Sequence, residues 1–388
     1  MDLNKTIKKY FDMGLNYSEI IEFLHKNDNI SMSLRTLKRI LKSLSLARRK
    51  NVSSIATVAD FLASQVQGSS QLHGYKWMHL KCIQNGFTVK QETVRYLLND
   101  LDPEGVAIRK RKRLRRRQYH NKGPNYLWHT DCYDKLKPYG IPISGCIDGF
   151  SRYILWLEAA PTCNDPRVIG GFFLNAVSTL KGCPTSLRTD AGTENRHIEQ
   201  IQTFFHRNNH SNNRPFLYGT SPANQKIEAW WGHLRKHCSQ FWMNTFQLLK
   251  DDGYFSGSFV DKNLIRFCFI DLIRSELNNI KEEWNSHKIR STKNAIAPSG
   301  RPTSMFNLPH LWNSESYLFD VQDEDISVCK DECVFVSQLI CDETIFELCH
   351  ILIEENNLVV TNAHDAYDAV NLYIELKILF DKLLENTN

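Results

Sequence analysis

Trp128-His-Thr-Asp131, Arg188-Thr-Asp190-Ala-Gly192 and Asn224-Gln-Lys-Ile-Glu228-Ala-Trp-Trp231 are the three short runs on which the reading of this chain turns. Each sets one carboxylate in a different local context. Residues 128–133 are rich in β-formers and bounded by Pro124 and Lys135, which predicts Asp131 on a strand. Residues 185–189 form a second predicted strand, with Asp190 at its carboxyl end before a glycine turn. From residue 223 onward the apolar spacing becomes helical, through Ile227, Trp231, Leu234, Cys238 and Phe241. Glu228 falls in the first turns of that helix. Arg235, seven residues on and followed by Lys236, lies near the same face.

Two strand carboxylates and one helix carboxylate, distant in sequence, are what a two-metal site needs. Magnesium is a hard ion held by a few carboxylates together with water and phosphate oxygens. Two such ions roughly 4 Å apart activate an attacking oxygen and stabilise the leaving one in displacement at phosphorus. Any one of these acids alone reads as a solvated or capping side chain. Order and spacing single them out: 58 residues separate Asp131 from Asp190, and 37 separate Asp190 from Glu228.

That pattern resembles the catalytic core of retroviral-type integrases and related transposases, the D,D,E group, over roughly residues 120–305. Asp148-Gly-Phe-Ser-Arg152, Asp190-Ala-Gly-Thr-Glu194 and Trp284-Asn-Ser-His-Lys-Ile-Arg290 extend the match. The resemblance implies an α/β, RNase H-like mixed five-stranded sheet flanked by helices. It implies Asp131, Asp190 and Glu228 as catalytic residues and as ligands of two Mg²⁺ or Mn²⁺ ions, with Arg235 and Lys236 as basic DNA contacts. Double-stranded DNA, as element ends and target, is the implied partner, and joining two ends in concert implies a homo-oligomer. Two positions depart from the family pattern. Gln225 follows Asn224 where many members have Gly, and Asn195 follows Glu194 where an aromatic is common. Both bear on substrate contacts more than on metal.

Other residues compete for roles. Glu194 and Glu199 are alternative third acids, but Glu194 is only four residues past Asp190 and reads as shaping the turn. Asp148 is expected to pair with Arg152 or to support the metal shell. Trp230, Trp231 and Trp242 have the rings to stack bases, yet their helical spacing assigns at least two to the core.

The 388 residues leave room for two to four domains, and 42% hydrophobic content with 21 Phe suffices for a core. No run approaches the ~18 uncharged apolar residues of a membrane helix, and the opening Met-Asp-Leu-Asn-Lys lacks a signal-like apolar run. Neither a membrane nor a small-molecule substrate is expected. Eleven scattered Cys fit reduced thiols. The net charge of +5 hides an asymmetry: residues 316–388 carry 16 acidic and 3 basic side chains, a balance of −13, so the first 315 carry +18. A basic body with an acidic tail suggests a polyanion partner for the body.

Residues 1–50 read as three short helices resembling a helix-turn-helix DNA-binding unit. Asn16 with Glu19 makes a capping box, and Ser33 caps a helix buried along Leu34, Leu37, Leu41 and Leu44. Arg35, Lys38, Arg39 and Lys42 fall on the free face of that last helix, suited to a DNA groove. Residues 51–106 repeat the plan loosely, with helices at 55–66 and 75–84 and a capping box of Thr88 with Gln91 before a third. This second unit is either a further helix-turn-helix or a plain bundle. Within a basic linker at 107–124, Arg109, Lys110, Arg111, Lys112, Arg113, Arg115, Arg116 and Arg117 are broken only by Leu114. Such a run serves DNA phosphates or nuclear import, which makes the nucleus the expected location.

The catalytic core is expected at 125–309, in the order three strands, helix, strand, helix, strand, helix. No zinc-finger spacing precedes it: Cys82 stands near His73 and His79 without a second Cys. An α-rich acidic region follows at 316–388. Its Cys329, Cys333, Cys341 and Cys349 lack a paired C-x-x-C and are expected to be buried and unliganded, and residues 367–384 form an amphipathic helix suited to protein contact or autoinhibition. Three readings follow: a DNA integrase or transposase performing metal-dependent end cleavage and strand transfer; a domesticated, catalytically silent DNA-binding protein; and an RNase H-like nuclease.

Overall fold

The computed structural model describes residues 2–48, 52–68, 70, 73–103, 106, 121–209, 213–219, 224–291, 298–335, 340–358 and 365–386. The basic run Arg109 to Arg117 lies outside the described residues. Contacts divide the chain into two compact units, residues 1–120 with 282–314 and residues 121–281 with 315–388.

In the first unit α1 (Leu3–Asp12), α2 (Tyr17–Asp28) and α3 (Leu34–Ser43) bury Ile7, Phe11, Ile20, Leu24, Leu37 and Leu41 against one another. The Asn16–Glu19 capping box forms in both directions, and Ser33 caps α3 through the Thr36 amide. α4 (Ile55–Gln67), α5 (Tyr75–Gln84) and α6 (Gln91–Leu101) close around Val58, Leu62, Met78, Val94 and Leu98. One expected cap is absent: Thr88 does not start α6. Its backbone N–H donates to Ser53 Oγ and its carbonyl accepts from the Ser53 amide, so the first position passes to Lys90, whose side chain makes no cap.

The second unit is built on a five-stranded sheet of β1 (Leu127–Tyr133), β2 (Ile143–Asp148), β3 (Ile154–Ala159), β5 (Ser186–Thr189) and β6 (Phe216–Tyr218), in the order β3-β2-β1-β5-β6, with the two-residue β4 (Gly182–Cys183) outside it. The β3–β2–β1 meander is antiparallel, while β5 and β6 run parallel to β1 and to each other. The mixed sheet and the helices flanking it are consistent with an RNase H-like integrase core. α7 (Pro166–Leu180) starts on Asp165, with proline at its first position, and stops where Lys181 turns left-handed. It covers one face with α8 (Arg196–Phe205), burying Trp128, Phe173, Val177, Leu187 and Ile201. At about 1.5–3 kcal/mol for each large side chain taken from water, this cluster is the main support of the sheet. α9 (Gln225–Leu234) crosses β1 and β2, passes through one π-helical turn at Arg235–Ser239, and continues as α10 (Gln240–Asp251). The long helix α11 (Phe259–Ser286) carries the division between the units at residue 281.

The acidic region joins the second unit's own core. A two-residue strand at Phe319–Asp320 pairs with Gly182–Cys183, and the helix Asp323–Lys330 lies on α7 with Val321, Ile326 and Cys329 in the Trp128 cluster. The chain then runs so close over α7 that a Cβ on Gly171 would come within 2.4 Å of the Val334 carbonyl oxygen. The last helix, Ala366–Asn386, is tied by Lys377 to the fully buried Asp261 at 3.1 Å. The apolar positions 321, 326 and 329 cannot be exposed without loss, so compactness unites residues that charge set apart.

Candidate active site

β1 and β5 pair in register as Trp128↔Leu187 and His129↔Arg188. Two residues further along stand Asp131, on β1, and Asp190, one residue past the end of β5; the register, continued, sets them about one strand spacing of 4.8 Å apart. Glu228 lies in the first turn of α9, the helix that packs over β1. The three acids of the sequence pattern therefore lie toward one end of the sheet.

Electrostatics show their proximity. The Asp131 carboxyl is pushed up to about 7, first by burial and then, against a hydrogen bond from Trp231, by the negative charges of Asp190 and Glu228. Glu228 is raised by partial loss of solvent and next by Asp190. Oxygen-only donors that oppose each other's ionisation suit a hard divalent cation. Among the described residues, however, no three His, Cys, Asp or Glu side chains are grouped closely enough to hold a metal ion as they stand.

Each acid has a holder. Trp231 Nε1 donates to Asp131 Oδ2 at 2.8 Å. The indole reaches it because residue 145, opposite Asp131 on β2, is glycine: a Cβ there would sit 2.6 Å from the Trp231 ring. Asn195 Nδ2 donates to Asp190 Oδ1 at 3.1 Å and to Glu194 Oε1 at 2.9 Å. Asn224, buried just ahead of α9, donates to the Thr130 carbonyl at 2.9 Å, which leaves its Oδ1 to accept from His129 Nδ1 at 2.8 Å. Burial above all holds His129 down at about 3, so it is a neutral donor. Asn224 thus sets the start of the Glu228 helix against the strand of Asp131.

The remaining candidates are placed as follows. Glu194 lies in a one-turn 3-10 segment beside Asp190, and Glu199 accepts from the Tyr218 hydroxyl. Asp148 lies beside Arg152, whose guanidinium its negative charge favours. Oδ1 accepts from the Asn125 amide, and Oδ2 accepts from the amides of Phe150 and Ser151 and from Ser151 Oγ, all within 3.1 Å. Trp230, Trp231 and Trp242 are all buried, which removes base stacking. Arg235 and Lys236 are exposed after Glu228 on the same helical run. In the other unit Arg35, Lys38, Arg39 and Lys42 stand exposed around the buried Leu37 and Leu41. The cysteines are free thiols, among them the buried Cys329 and Cys349 and the half-buried Cys333 and Cys341. Sequence reading missed Trp231, Gly145, Asn224, His129 and Asn195 as holders. Their partners stand across the fold or a turn, where periodicity leaves no mark.

A mixed β3-β2-β1-β5-β6 sheet with acids at the ends of its central strands defines a class of polynucleotide-processing core. A family model described as integrase core domain matches residues 118–314, and the chain belongs to that family. Its members are generally polynucleotidyl transferases that use divalent metals and bind DNA. No curated protein matches the chain. Among the described residues no helix is long and apolar enough to cross a membrane.

Proposed function

We propose that this protein is a DNA integrase or transposase that cleaves element ends and transfers the freed strand to a target duplex. One observation carries the reading: from three separate elements, Asp190 and Glu228 come close enough to Asp131 for their charges to add to burial in raising its carboxyl, and Asp190 does the same to Glu228. Two Mg²⁺ or Mn²⁺ ions held by these three residues would supply activation of the attacking oxygen and stabilisation of the leaving one. The chain's own residues do the positioning. Trp231 orients Asp131, Asn195 orients Asp190, and Asn224 fixes the helix that presents Glu228. Arg235 and Lys236, exposed on the run that follows Glu228, would hold the phosphate backbone. A homo-oligomer would bring two ends together, and the basic run at 109–117 would serve DNA contact and nuclear entry.

A second reading, a chain that holds DNA without cutting it, is favoured by one fact: the three acids do not form a ready ion cage among the described residues. The two readings part in one experiment. Purified protein, Mn²⁺ and duplex made from the DNA that flanks the gene should give nicked and joined products, and Asp190→Asn should give none. Joining that survives in Asp190→Asn removes the site. Wild-type protein that binds duplex yet never nicks it supports the silent form.

A further inference from the structure

A cavity of about 590 Å³ opens within the helical unit, between α5 and residues 287–301. Lys76 and His79 line it from α5, one turn apart, while Lys288 and Arg290 line it from the opposite side. No Asp or Glu is among its described lining residues. The cations converge on one imidazole: His287 is held down at about 4 by burial first, then by the charges of Arg301, Lys76 and Arg290. Lys76 is itself lowered by burial and then by Arg290 and Lys288.

Of these cations, Arg301 is structural. It pairs with Glu19 at 3.2 Å and donates to the Gly14 and Ser286 carbonyls. Lys76 and Lys288 have no carboxylate partner among the described residues, and Arg290 spends a single donor, on the Tyr75 hydroxyl at 3.2 Å. The frame around them is built. Ile289 and Gly300 exchange backbone hydrogen bonds of 2.8 and 3.1 Å, Trp312 donates to the Ser299 carbonyl, and a Cβ on Gly300 would meet the Trp312 ring at 2.6 Å. Like charges held together on an ordered frame cost the fold electrostatic energy that an anion returns.

We propose that this cavity is a phosphate-backbone site for duplex DNA, with Lys76, Lys288 and Arg290 contacting phosphates and Gln91, Ser291 and Ser299 supplying neutral donors. The proposal rests on the nucleic-acid reading above only for the choice of duplex as the polyanion. Duplex is favoured over an acidic peptide because the same unit presents a second cationic surface on α3, which a long polyanion spans and a short peptide does not. The described helices of the chain's own acidic region belong to the other unit.

The test uses full-length protein carrying Asp190→Asn, with chelator present, so that no strand chemistry enters. Fluorescence anisotropy on a labelled mixed-sequence duplex is read across a salt series. Lys288→Glu with Arg290→Glu should weaken binding at low salt at least tenfold and flatten the log–log salt slope by about 2, since each lost phosphate contact removes roughly 0.9. Lys250→Glu, an exposed charge at the end of α10, should leave the slope unchanged. Lys288→Gln alone, at a solvent-exposed position that does not threaten folding, should flatten it by about 1. An unchanged slope in both Lys288 variants overturns the proposal, and so does an equal loss in Lys250→Glu. Loss of polyglutamate binding with duplex binding intact also overturns it, in favour of an acidic peptide. Failure of strand transfer in active protein leaves these outcomes untouched, so the two proposals fail separately.

Discussion

β1 holds a half-buried aspartate and the end of β2 a fully buried one, both pushed above the ordinary carboxylate range, and the two differ in everything that follows. Asp148, at the end of β2, is raised to about 6 by burial alone, and four hydrogen bonds, three from its own turn and one from the Asn125 amide, work against that rise. Asp131, on β1, is raised to about 7 by burial and by two other acids, with one indole donor opposing. The first is a carboxylate whose partners were built with it. The second is left short of positive charge in the folded chain. A buried acid that is fully hydrogen-bonded is architecture, whereas acids that oppose one another's ionisation mark a place for a cation.

The sharpest break of that contrast is the pair of substitutions Asp190→Asn and Asp148→Asn. Asp190→Asn should lower Mn²⁺-dependent nicking by at least about 10³-fold, as expected when a charge-stabilising group is lost, and should leave the melting temperature in chelator equal or higher. Saturating Mn²⁺ at about 100 times its dissociation constant should stabilise the wild type by about 2.7 kcal/mol and this variant far less. Asp148→Asn should do the reverse. Replacing one acceptor oxygen by an NH₂ group strands buried donors and should cost about 3 kcal/mol in denaturant unfolding, with nicking per folded molecule close to wild type. A catalytic defect without a stability defect in Asp148→Asn would erase the distinction between the two ends.

Next in size is the hold on Asp131. Trp231→Phe keeps the ring over Gly145 and removes the donor, so nicking should fall about 10–100-fold, the usual cost of losing a residue that orients a ligand. The same rate after correction for folding would show the indole to be packing alone.

Those holders show where sequence reading stops. The spacing of Asp131, Asp190 and Glu228 was legible, as was α5 at 75–84, because strand and helix periods and turn residues are local properties. Trp231 was legible only as an apolar helix position. Its bond to Asp131 crosses 100 residues and depends on a glycine on a third element. Asn195, read as a departure that bears on substrate contacts, also donates to Asp190. The acidic region was set apart because its charge changes sign at residue 316, yet Val321, Ile326 and Cys329 belong to the Trp128 core. Composition follows the surface, and packing decides the unit.

A smaller effect tests both ends together through pH. An unfolded aspartate titrates near 4. Folded Asp131 keeps its proton up to about 7 and Asp148 up to about 6, so between pH 4 and 7 the folded chain binds more protons than the unfolded one. Where the folded state binds more protons, stability falls as pH rises, so in chelator it should decline from pH 4 to 7 and then level off. Asp190→Asn removes one of the charges that raise Asp131 and should flatten the upper part of the decline, between 6 and 7. The lower part, which Asp148 also contributes, should persist. A decline identical in wild type and variant would mean that Asp190 does not act on Asp131.

The smallest expected change is at Asn195. Its amide is held between Asp190 Oδ1 and Glu194 Oε1, which turns the Glu194 side chain toward the carboxamide and lets Asn195 aim Asp190. A Cβ on Gly192 would lie 1.8 Å from Glu194 Oε1, so the glycine leaves the carboxylate the space it occupies beside Asn195. Asn195→Ala should therefore cost activity about tenfold, with a higher Mn²⁺ requirement, because the acid is still present but no longer aimed. Asn195→Asp should cost more than Asn195→Ala. It replaces a donor by a third negative charge between two carboxylates, and excess Mn²⁺ should recover part of the loss. If Asn195→Asp instead matched Asn195→Ala at every Mn²⁺ concentration, the amide would be filling space, and Asp190 would have to be oriented by its strand alone.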